Sequence, residues 1–277
     1  MAMTGALTSS YELGPIRPPS EASSLLVRVT RSCPWNRCKF CPVYKGTKFE
    51  LRSVEDIKRD VTAARQIYDS IVQLAGKSGG GNNIRAAAAM VANNAPTDAS
   101  RNVALWMCAG GEQAFLQDAN TLIVKTPDLV EVIRFLKETF PGLNRITTYA
   151  RAKTAAQKKP AELVALREAG LSRIHMGLES GCDAVLQFMD KGVTAAGHIA
   201  GGKNVVASGI SLCTYIMPGA GGKTIWRRHA LETARVLNEI DPDFIRLRTL
   251  TVQPRMLLHE DVASGAFIRA TDEEIVE

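Results

Sequence analysis

No stretch of this 277-residue sequence approaches the ~18 consecutive apolar residues of a membrane helix, so no transmembrane helix is predicted. The first 20 residues also lack the apolar core of a signal peptide. Residues 1–23 combine prolines with little apolar periodicity, so we expect a loose N-terminal arm. Without an export signal the cytoplasm is the default compartment, and there clustered cysteines are more often metal ligands than disulfides.

Acidic residues are fewer than basic ones, and the formal net charge is +6. Such a balance admits a polyanion such as nucleic acid as a partner. The basic residues are scattered along the chain, however, and do not gather into one block. We therefore expect a small-molecule substrate over nucleic acid, and no membrane partner.

Short apolar runs alternate with amphipathic helix patterns along most of the chain. Strands are predicted at residues 24–30, 113–117, 145–149, 173–177, 211–217 and 244–250. Helices are predicted at residues 53–75, 127–140, 160–169, 183–190, 195–207 and 223–240. This alternation indicates an α/β fold of right-handed βαβ units with a parallel sheet. A doubly wound open sheet competes with a partial (β/α)6 TIM-like barrel, and we predict the barrel.

Residues 76–102 interrupt the alternation and are predicted to be an inserted helical segment. A Gly/Ser/Asn-rich stretch at 76–83 precedes an alanine-rich helix candidate at 86–92. The core then covers residues 24–250, and residues 251–277 form a C-terminal extension. Its last residues, TDEEIVE, begin like a capped helix and stop after less than two turns, so we expect the extension to be truncated.

Cysteine is scarce, yet three of the six cysteines lie close together, directly after the first predicted strand. Cys33, Cys38 and Cys41 have the spacing Cys-x4-Cys-x2-Cys. Three thiolates are one ligand short of a closed tetrahedral zinc site. On a 4Fe–4S cube they would leave one iron without a protein ligand, and a cofactor or substrate can chelate such an iron.

The segment TRSCPWNRCKFCPVYKG resembles the cluster loop of radical S-adenosylmethionine (SAM) enzymes, with the aromatic Phe40 directly before the last cysteine. The commonest family spacing is Cys-x3-Cys-x2-Cys, and longer first gaps occur in family branches. Further similarity lies in ITTYARA at 146–152, LREAGLSRIHMGLESG at 166–181, the Met-Pro-Gly turn at 217–219 and LNEIDPDFIRLRTL at 237–250. Together these segments resemble the branch that includes the elongator catalytic subunit, methylthiotransferases and cobalamin-linked members.

The resemblance implies an enzyme whose Cys33, Cys38 and Cys41 hold a 4Fe–4S cluster, with SAM chelating the open iron. An electron from a flavodoxin- or ferredoxin-type donor would cleave SAM to methionine and a 5′-deoxyadenosyl radical, which takes hydrogen from an unidentified substrate. Only 32 residues precede Cys33, and no acetyltransferase domain follows the core. We therefore expect a radical core without a cobalamin or acetyltransferase domain.

The resemblance also implies a polar motif after the second strand that binds the SAM amino group. If residues 103–108 are that strand, Glu112 of Gly-Gly-Glu follows it. If a helix ends instead at the glycine pair, the strand is 113–117, and Asp118 and Asn120 occupy the motif position. We favour Asp118 and Asn120, because the distance from Glu112 to the next helix is long for a βα loop.

Other strand ends supply the remaining candidate SAM contacts that the resemblance implies. Tyr149 and Arg151 occupy a place that contacts the ribose or the carboxylate, and an arginine there could pair with the methionine carboxylate. Glu179, with Ser180 as a weaker companion, occupies a place near the ribose.

Two arginines alternate on the last predicted strand. Because side chains alternate along a strand, Arg246 and Arg248 point to one face. Inside a barrel they could meet an anionic substrate or cofactor. Solvated arginines on an edge strand explain the same pattern.

A different class of protein is the alternative: a zinc or Fe–S metal-loop binding module, associated with RNA and without SAM cleavage. Such a module has no need of polar motifs at several strand ends. The set of strand-end motifs therefore favours the enzyme.

Overall fold

The computed structural model describes residues 5–77 and 83–276, so most of the glycine-rich stretch predicted at 76–83 lies outside the described residues. The chain divides into two compact units. The first comprises Met1–Arg31, Glu50–Thr148 and Glu168–Ser172, and the second comprises Ser32–Phe49, Tyr149–Arg167 and Arg173–Glu277. None of the described helices is long and apolar enough to cross a membrane.

The first unit builds three parallel strands and packs helices against them. Its elements in chain order are β1 (Leu25–Arg28), β2 (Thr30–Arg31), β3 (Glu50–Leu51), α1 (Val54–Lys77), α2 (Ile84–Asn93), α3 (Asp98–Cys108), β4 (Gln113–Gln117), α4 (Thr126–Thr139) and β5 (Arg145–Ala150). Strand β4 pairs in parallel with β1 and with β5. The predicted first strand is divided, because β2 leaves the parallel sheet and pairs antiparallel with β3.

Helix α1 shows why this unit folds as predicted. The main-chain NH of Asp56 donates to Ser53 Oγ at 3.1 Å, which caps the helix where the sequence indicated. Its apolar residues are buried at helical spacing: Ile57, Val61, Ala64, Ile67 and Ile71. That buried stripe packs against α2, α3 and α4.

The inserted segment is helical in its described part, as predicted. Helix α2 covers the alanine-rich candidate, and α3 begins at the N-cap Thr97, whose hydroxyl accepts from the main-chain NH of Ser100. Residues 103–108 are therefore helical, and the alternative that made them a strand is wrong.

The described part of the N-terminal arm is packed, so the expectation of a loose arm is wrong there. Leu7 and Tyr11 are buried, and the Tyr11 hydroxyl donates to Asn102 Oδ1 at 2.9 Å. Glu21 is fully buried and accepts from Ser24 Oγ at 2.7 Å. Glu21 also forms an ion pair with Arg145 at 3.2 Å, so both Tyr11 and Glu21 have partners far along the chain that the local pattern of prolines does not reveal.

The second unit also builds three parallel strands. Its elements in chain order are α5 (Ala152–Gln157), α6 (Pro160–Ala169), β6 (Leu171–Glu179), α7 (Asp183–Phe188), α8 (Ala195–Ala207), β7 (Ser211–Ile216), α9 (Gly222–Ile240), β8 (Phe244–Leu247), α10 (Leu258–Ala263) and α11 (Asp272–Val276). Strand β7 pairs in parallel with β6 and with β8. Parallel strands that alternate with helices confirm the predicted α/β class.

The C-terminal extension belongs to the core of the second unit. Leu250, Met256, Leu258 and Phe267 are buried in one apolar cluster. The main-chain NH of Leu258 donates to the carbonyl of Lys39 at 3.1 Å. Residues after the predicted core therefore support the loop that carries the three cysteines.

Two buried histidines predict acid sensitivity. Burial lowers the pKa of His229 below its ordinary 6.5, and that of His198 well below it. Below about pH 6.5 the imidazole binds a proton in the unfolded chain but not in the folded protein. The free energy of unfolding therefore falls as the pH drops, by up to about 1.4 kcal/mol per pH unit for each histidine. His198→Gln and His229→Gln should each flatten this slope in urea unfolding between about pH 6.5 and 5.5.

The exposed His259 supplies the control, since His259→Gln should leave the slope as it is. If neither His198→Gln nor His229→Gln changes the dependence of unfolding free energy on pH, the two histidines are not the cause of the acid sensitivity.

Candidate functional site

The three clustered cysteines lie on a loop without helix or strand, Ser32–Phe49, which we call the cysteine loop. Cys33, Cys38 and Cys41 are half-buried free thiols. The main-chain NH of Cys41 donates to the carbonyl of Cys38 at 3.2 Å, so these two residues share one turn. The donor set is therefore three reduced thiols on one loop.

Three successive main-chain carbonyls after α7, those of residues 189–191, accept hydrogen bonds. Two of the donors lie in the cysteine loop, and the third is Arg151, the residue after β5. The donors are the main-chain NH of Lys39 to Met189 (3.0 Å), the indole Nε1 of Trp35 to Asp190 (2.6 Å) and the guanidinium of Arg151 to Lys191 (2.8 Å). We call residues 189–192 the docking segment. Since the cysteine loop has no regular main-chain hydrogen bonding of its own, hydrogen bonds to the docking segment fix its path.

The indole of Trp35 is enclosed between two cations and the docking segment. The guanidinium carbons of Arg37 and Arg151 lie 4.9 and 5.0 Å from the ring. Gly192 has a positive φ of 69°, and a Cβ there would collide with the indole. Only glycine combines this backbone conformation with so close an approach.

Positive charge faces the cysteines. Burial raises the pKa of the Cys38 thiol, and the charges of Lys191 and Arg151 oppose that shift. The Lys191 side chain is only 12% exposed and forms an ion pair with Glu179 at 3.0 Å. Burial lowers the pKa of Lys191, but Glu179 and the Cys38 thiol outweigh it, so the net shift is upward. The cations thus favour bound thiolates and any further negative charge placed there.

A β-bulge places Glu179 at the carboxyl end of β6. The pairing with β7 shifts register between Gly177 and Glu179, and Glu179 has a left-handed φ of 62°. A Cβ on Gly177 would collide with the Glu179 carboxylate, and Lys191 Nζ lies 3.0 Å from that position. The glycine therefore lets the Glu179–Lys191 pair lie directly over the strand.

The other candidates of the second unit differ in accessibility. Tyr149 is half-buried and meets His175 edge to face, with ring centroids 5.9 Å apart. Ser180 is fully buried, and its hydroxyl forms a 2.8 Å hydrogen bond with His229 Nδ1. The main-chain NH of Cys182 donates to Ser180 Oγ at 3.0 Å. Ser180 thus ties chain segments together, and its hydroxyl faces protein groups.

In the first unit, Asp118 and Asn120 follow the carboxyl end of β4, as the favoured alternative predicts. Both are fully buried. Arg28 donates to Asp118 Oδ2 from Nε at 2.8 Å and pairs with it through Nη2 at 2.7 Å. A Cβ on Gly14 would collide with the other carboxylate oxygen, so the N-terminal arm covers Asp118.

Glu112 lies at the opposite end of the strand. It is exposed before β4, and its carboxylate accepts from Asn144 Nδ2 at 2.9 Å. In parallel α/β folds, sites form at the carboxyl ends of strands. Its position therefore argues against Glu112 as a cofactor contact.

A family model described as the radical SAM superfamily matches residues 27–234. This chain belongs to the radical SAM superfamily. The resemblance found in the sequence is confirmed, and the family implies a 4Fe–4S cluster and SAM as cofactors. Members of the family are enzymes that need an electron donor and a substrate. Comparison with curated proteins gave no match.

Solved radical SAM structures share the fold at low identity. Coproporphyrinogen III oxidase (HemN) from Escherichia coli has a TM-score of 0.56 at 14% identity, covering 98% of this chain and 52% of that chain. The radical SAM methyltransferase TsrM from Kitasatospora setae, with cobalamin and a [4Fe–4S] cluster bound, has a TM-score of 0.56 at 15% identity, covering 87% and 39%. Elp3 from the archaeon Methanocaldococcus infernus has a TM-score of 0.50 at 15% identity, covering 69% and 46%.

The chain spans about half the length of these proteins or less. The likeness shows the fold, and it confirms the predicted class, a partial barrel of β/α units.

The residues of the cysteine loop fit the cluster that the family implies. Among residues 5–77 and 83–276, no group of three His, Cys, Asp or Glu has the geometry of a site for a single metal ion. The fit rests instead on donor chemistry: three free thiols, next to Arg151 and Lys191. A radical SAM cluster with three thiolates carries net negative charge, which these cations stabilise.

Sequence reasoning missed Trp35, Lys191 and Gly192. Trp35 stands inside the cysteine motif, and its proximity to Cys33 could have marked it. Lys191 and Gly192 follow α7, far along the chain from the cysteines, and no local pattern links them to the radical SAM loop. Only the fold brings the docking segment to the loop.

Gly192→Ala should loosen the cysteine loop. Its left-handed backbone costs about 1–2 kcal/mol for a residue with a Cβ, and crowding against Trp35 costs about 1–3 kcal/mol more. We expect lower unfolding free energy in urea and less iron and sulfide bound per chain after anaerobic reconstitution.

Gly46→Ala is the matched control in the same loop. Gly46 has a φ of 77°, and a Cβ there would meet nothing within 4 Å among the described residues, so only the backbone cost applies. Equal losses of iron in both variants would contradict the role of the Trp35 contact.

Arg28→Met should destabilise the first unit strongly. Removing one partner of a buried ion pair costs about 3–5 kcal/mol. We expect the lower end of that range, because the Arg28 side chain is 14% exposed while that of Asp118 is not exposed at all. Adding Asp118→Asn should recover part of the loss in urea unfolding.

Arg235→Met breaks an exposed pair with Glu239 and should cost no more than about 1 kcal/mol. If Arg28→Met lowers the unfolding free energy no more than this control does, the Arg28–Asp118 pair does not stabilise the first unit as predicted.

Proposed function

We propose that this chain uses a 4Fe–4S cluster held by Cys33, Cys38 and Cys41 to cleave SAM reductively and begin a radical reaction on a substrate. When bound, the cluster supplies one electron to SAM, giving methionine and a 5′-deoxyadenosyl radical that takes a hydrogen atom from the substrate. One observation carries the proposal: the docked three-cysteine loop faces Lys191 and Arg151.

The chain's own residues position and tune this site. The docking segment holds the cysteine loop through its carbonyls, so the three thiols keep one arrangement. Positive charge from Arg151 and Lys191 stabilises the more negative, reduced form of the cluster. The same cations supply a place for the SAM carboxylate, as the family resemblance implies for Arg151.

The remaining SAM contacts are proposed from strand ends. Tyr149 and Glu179 are half-buried, and Glu179 lies beside Lys191, in keeping with contacts to the ribose. At β4 we propose that main-chain carbonyls around Asp118 and Asn120 bind the amino group, because Arg28 already occupies the Asp118 carboxylate.

We do not propose Ser180 or Glu112 as SAM contacts. The Ser180 hydroxyl bonds to His229. Glu112 precedes its strand.

The electron source proposed is a flavodoxin- or ferredoxin-type protein, which the low potential of such a cluster requires. We propose a small-molecule substrate, since the basic residues are scattered along the sequence and do not gather into one block. The cytoplasm is the proposed compartment, because reduced cysteines and an oxygen-sensitive cluster suit a reducing environment.

Cys38→Ala tests the proposal directly. After anaerobic reconstitution and reduction, the unaltered protein should form 5′-deoxyadenosine from SAM and show a reduced 4Fe–4S signal by electron paramagnetic resonance that shifts with SAM. In Cys38→Ala both should fall to background, because the cube loses one of three ligands. Cys108→Ala alters a half-buried thiol outside the loop and should retain both.

Zinc in place of iron, or a cluster indifferent to SAM without cleavage, would overturn the proposal. That outcome would leave the alternative of a metal-loop binding module. A loss in Cys108→Ala equal to that in Cys38→Ala would also contradict the ligand assignment.

A further inference from the structure

One face of the sheet in the second unit is polar, while the other face is apolar and mostly sealed. On β6 and β7 the sealed face carries Ile174, Met176, Leu178 and Leu212, all fully buried. Barrel interiors are usually filled by bulky branched apolar side chains. The polar face departs from that rule: His175 and Cys213 are buried on it, and its two arginines are half-buried.

The register of the strands defines the residues on the polar face. Residues paired across parallel strands share a face, and side chains alternate along each strand. Three rows of residues therefore lie on one face: Arg173 with Ser211, His175 with Cys213 and Phe244, and Gly177 with Tyr215 and Arg246. Ring contacts agree, since His175 and Tyr215 have centroids 6.0 Å apart.

Two cations on this face lack an acidic partner in the part of the chain that the structure describes. Arg173 and Arg246 are both half-buried. Within residues 5–77 and 83–276, neither guanidinium has a carboxylate at ion-pair distance; Arg173 Nε donates to Ser211 Oγ at 3.3 Å. Glu179, the acidic residue at the end of β6, is already paired with Lys191. Half-buried cations without counter-charge favour an anion in their vicinity.

The two guanidinium groups are within reach of one ligand. The Arg173 guanidinium crosses to β8 and lies 4.1 Å from the centroid of the Phe244 ring. Arg246 is two residues beyond Phe244 on the same face, a rise of roughly 6.6 Å along the strand. Side chains of arginine length span that gap, so both can contact one oxyanion.

We propose that Arg173 and Arg246 bind an oxyanion, a carboxylate or phosphate, of a small molecule. The flat guanidinium fork matches both groups through paired N–H donors. Phe244 and Tyr215 flank the cations and supply aromatic surface for the rest of the molecule. The anion site rests on the sheet face alone and does not depend on the proposed function.

Anion binding to the reconstituted holoprotein tests the site. Titration calorimetry would use inorganic phosphate and, separately, succinate, without reductant and with saturating SAM, so that the cations near the cysteines are already engaged. The unaltered protein should bind at least one anion. Arg173→Gln and Arg246→Gln should each weaken binding at least about tenfold, a loss of one charged hydrogen-bonding partner.

Matched variants distinguish the effect of the flat guanidinium group from the effect of its charge. Arg246→Lys keeps the charge without the fork and should bind with intermediate affinity. Arg227→Gln removes an exposed arginine of α9 and should bind like the unaltered protein. The proposal is overturned if neither anion binds, or if Arg227→Gln weakens binding as much as Arg246→Gln. Preference for phosphate or for succinate identifies the oxyanion.

Formation of 5′-deoxyadenosine, measured on the same unaltered protein after reduction, separates the two proposals. Anion binding that depends on Arg246 without SAM cleavage would sink the proposed function and leave the site standing. Cleavage with anion binding indifferent to Arg173 and Arg246 would sink the site alone.

Discussion

The radical chemistry proposed for this protein depends on the contact between the cysteine loop and the docking segment. A loop without regular secondary structure cannot satisfy its own polar groups, so its path is set by whatever partners it finds. Here those partners include the carbonyls of Met189 and Asp190, and the next carbonyl, that of Lys191, holds Arg151. The residue that ends this row of carbonyls also supplies a cation. Geometry and charge at the three thiols therefore come from one short segment.

Positive charge serves two separate surfaces of the second unit. Arg151 and Lys191 face the cysteines, where negative charge accumulates on thiolates and cluster. Arg173 and Arg246 lie on the polar sheet face, and neither forms an ion pair with a carboxylate among the described residues. The first pair suits a fixed anionic centre, and the second suits an exchangeable anion. Folding thus brings together cations that are distant in sequence, such as Arg151 and Lys191, which the linear distribution of charge does not show.

In the first unit, tertiary contacts corrected two local expectations. The N-terminal arm packs because Tyr11 reaches Asn102, some ninety residues away in the sequence. The carboxylate of Asp118 is enclosed because Arg28 comes from the neighbouring strand. Both contacts join residues that are distant in sequence. A proline-rich composition and a strand-end position describe only the local chain, so neither could anticipate them.

The sequence by itself determined the family, the α/β alternation and the three cysteines. Apolar periodicity and helix caps act over a few residues, so Gln113–Gln117, Pro160–Ala169 and Ala195–Ala207 have the bounds that the pattern predicts. Only the tertiary structure decided that Glu112 lies at the wrong end of its strand, that Ser180 bonds to His229, and that Trp35 rests against Gly192. Those facts depend on which segments meet in space, and loop closure over many residues leaves no periodic trace in the sequence.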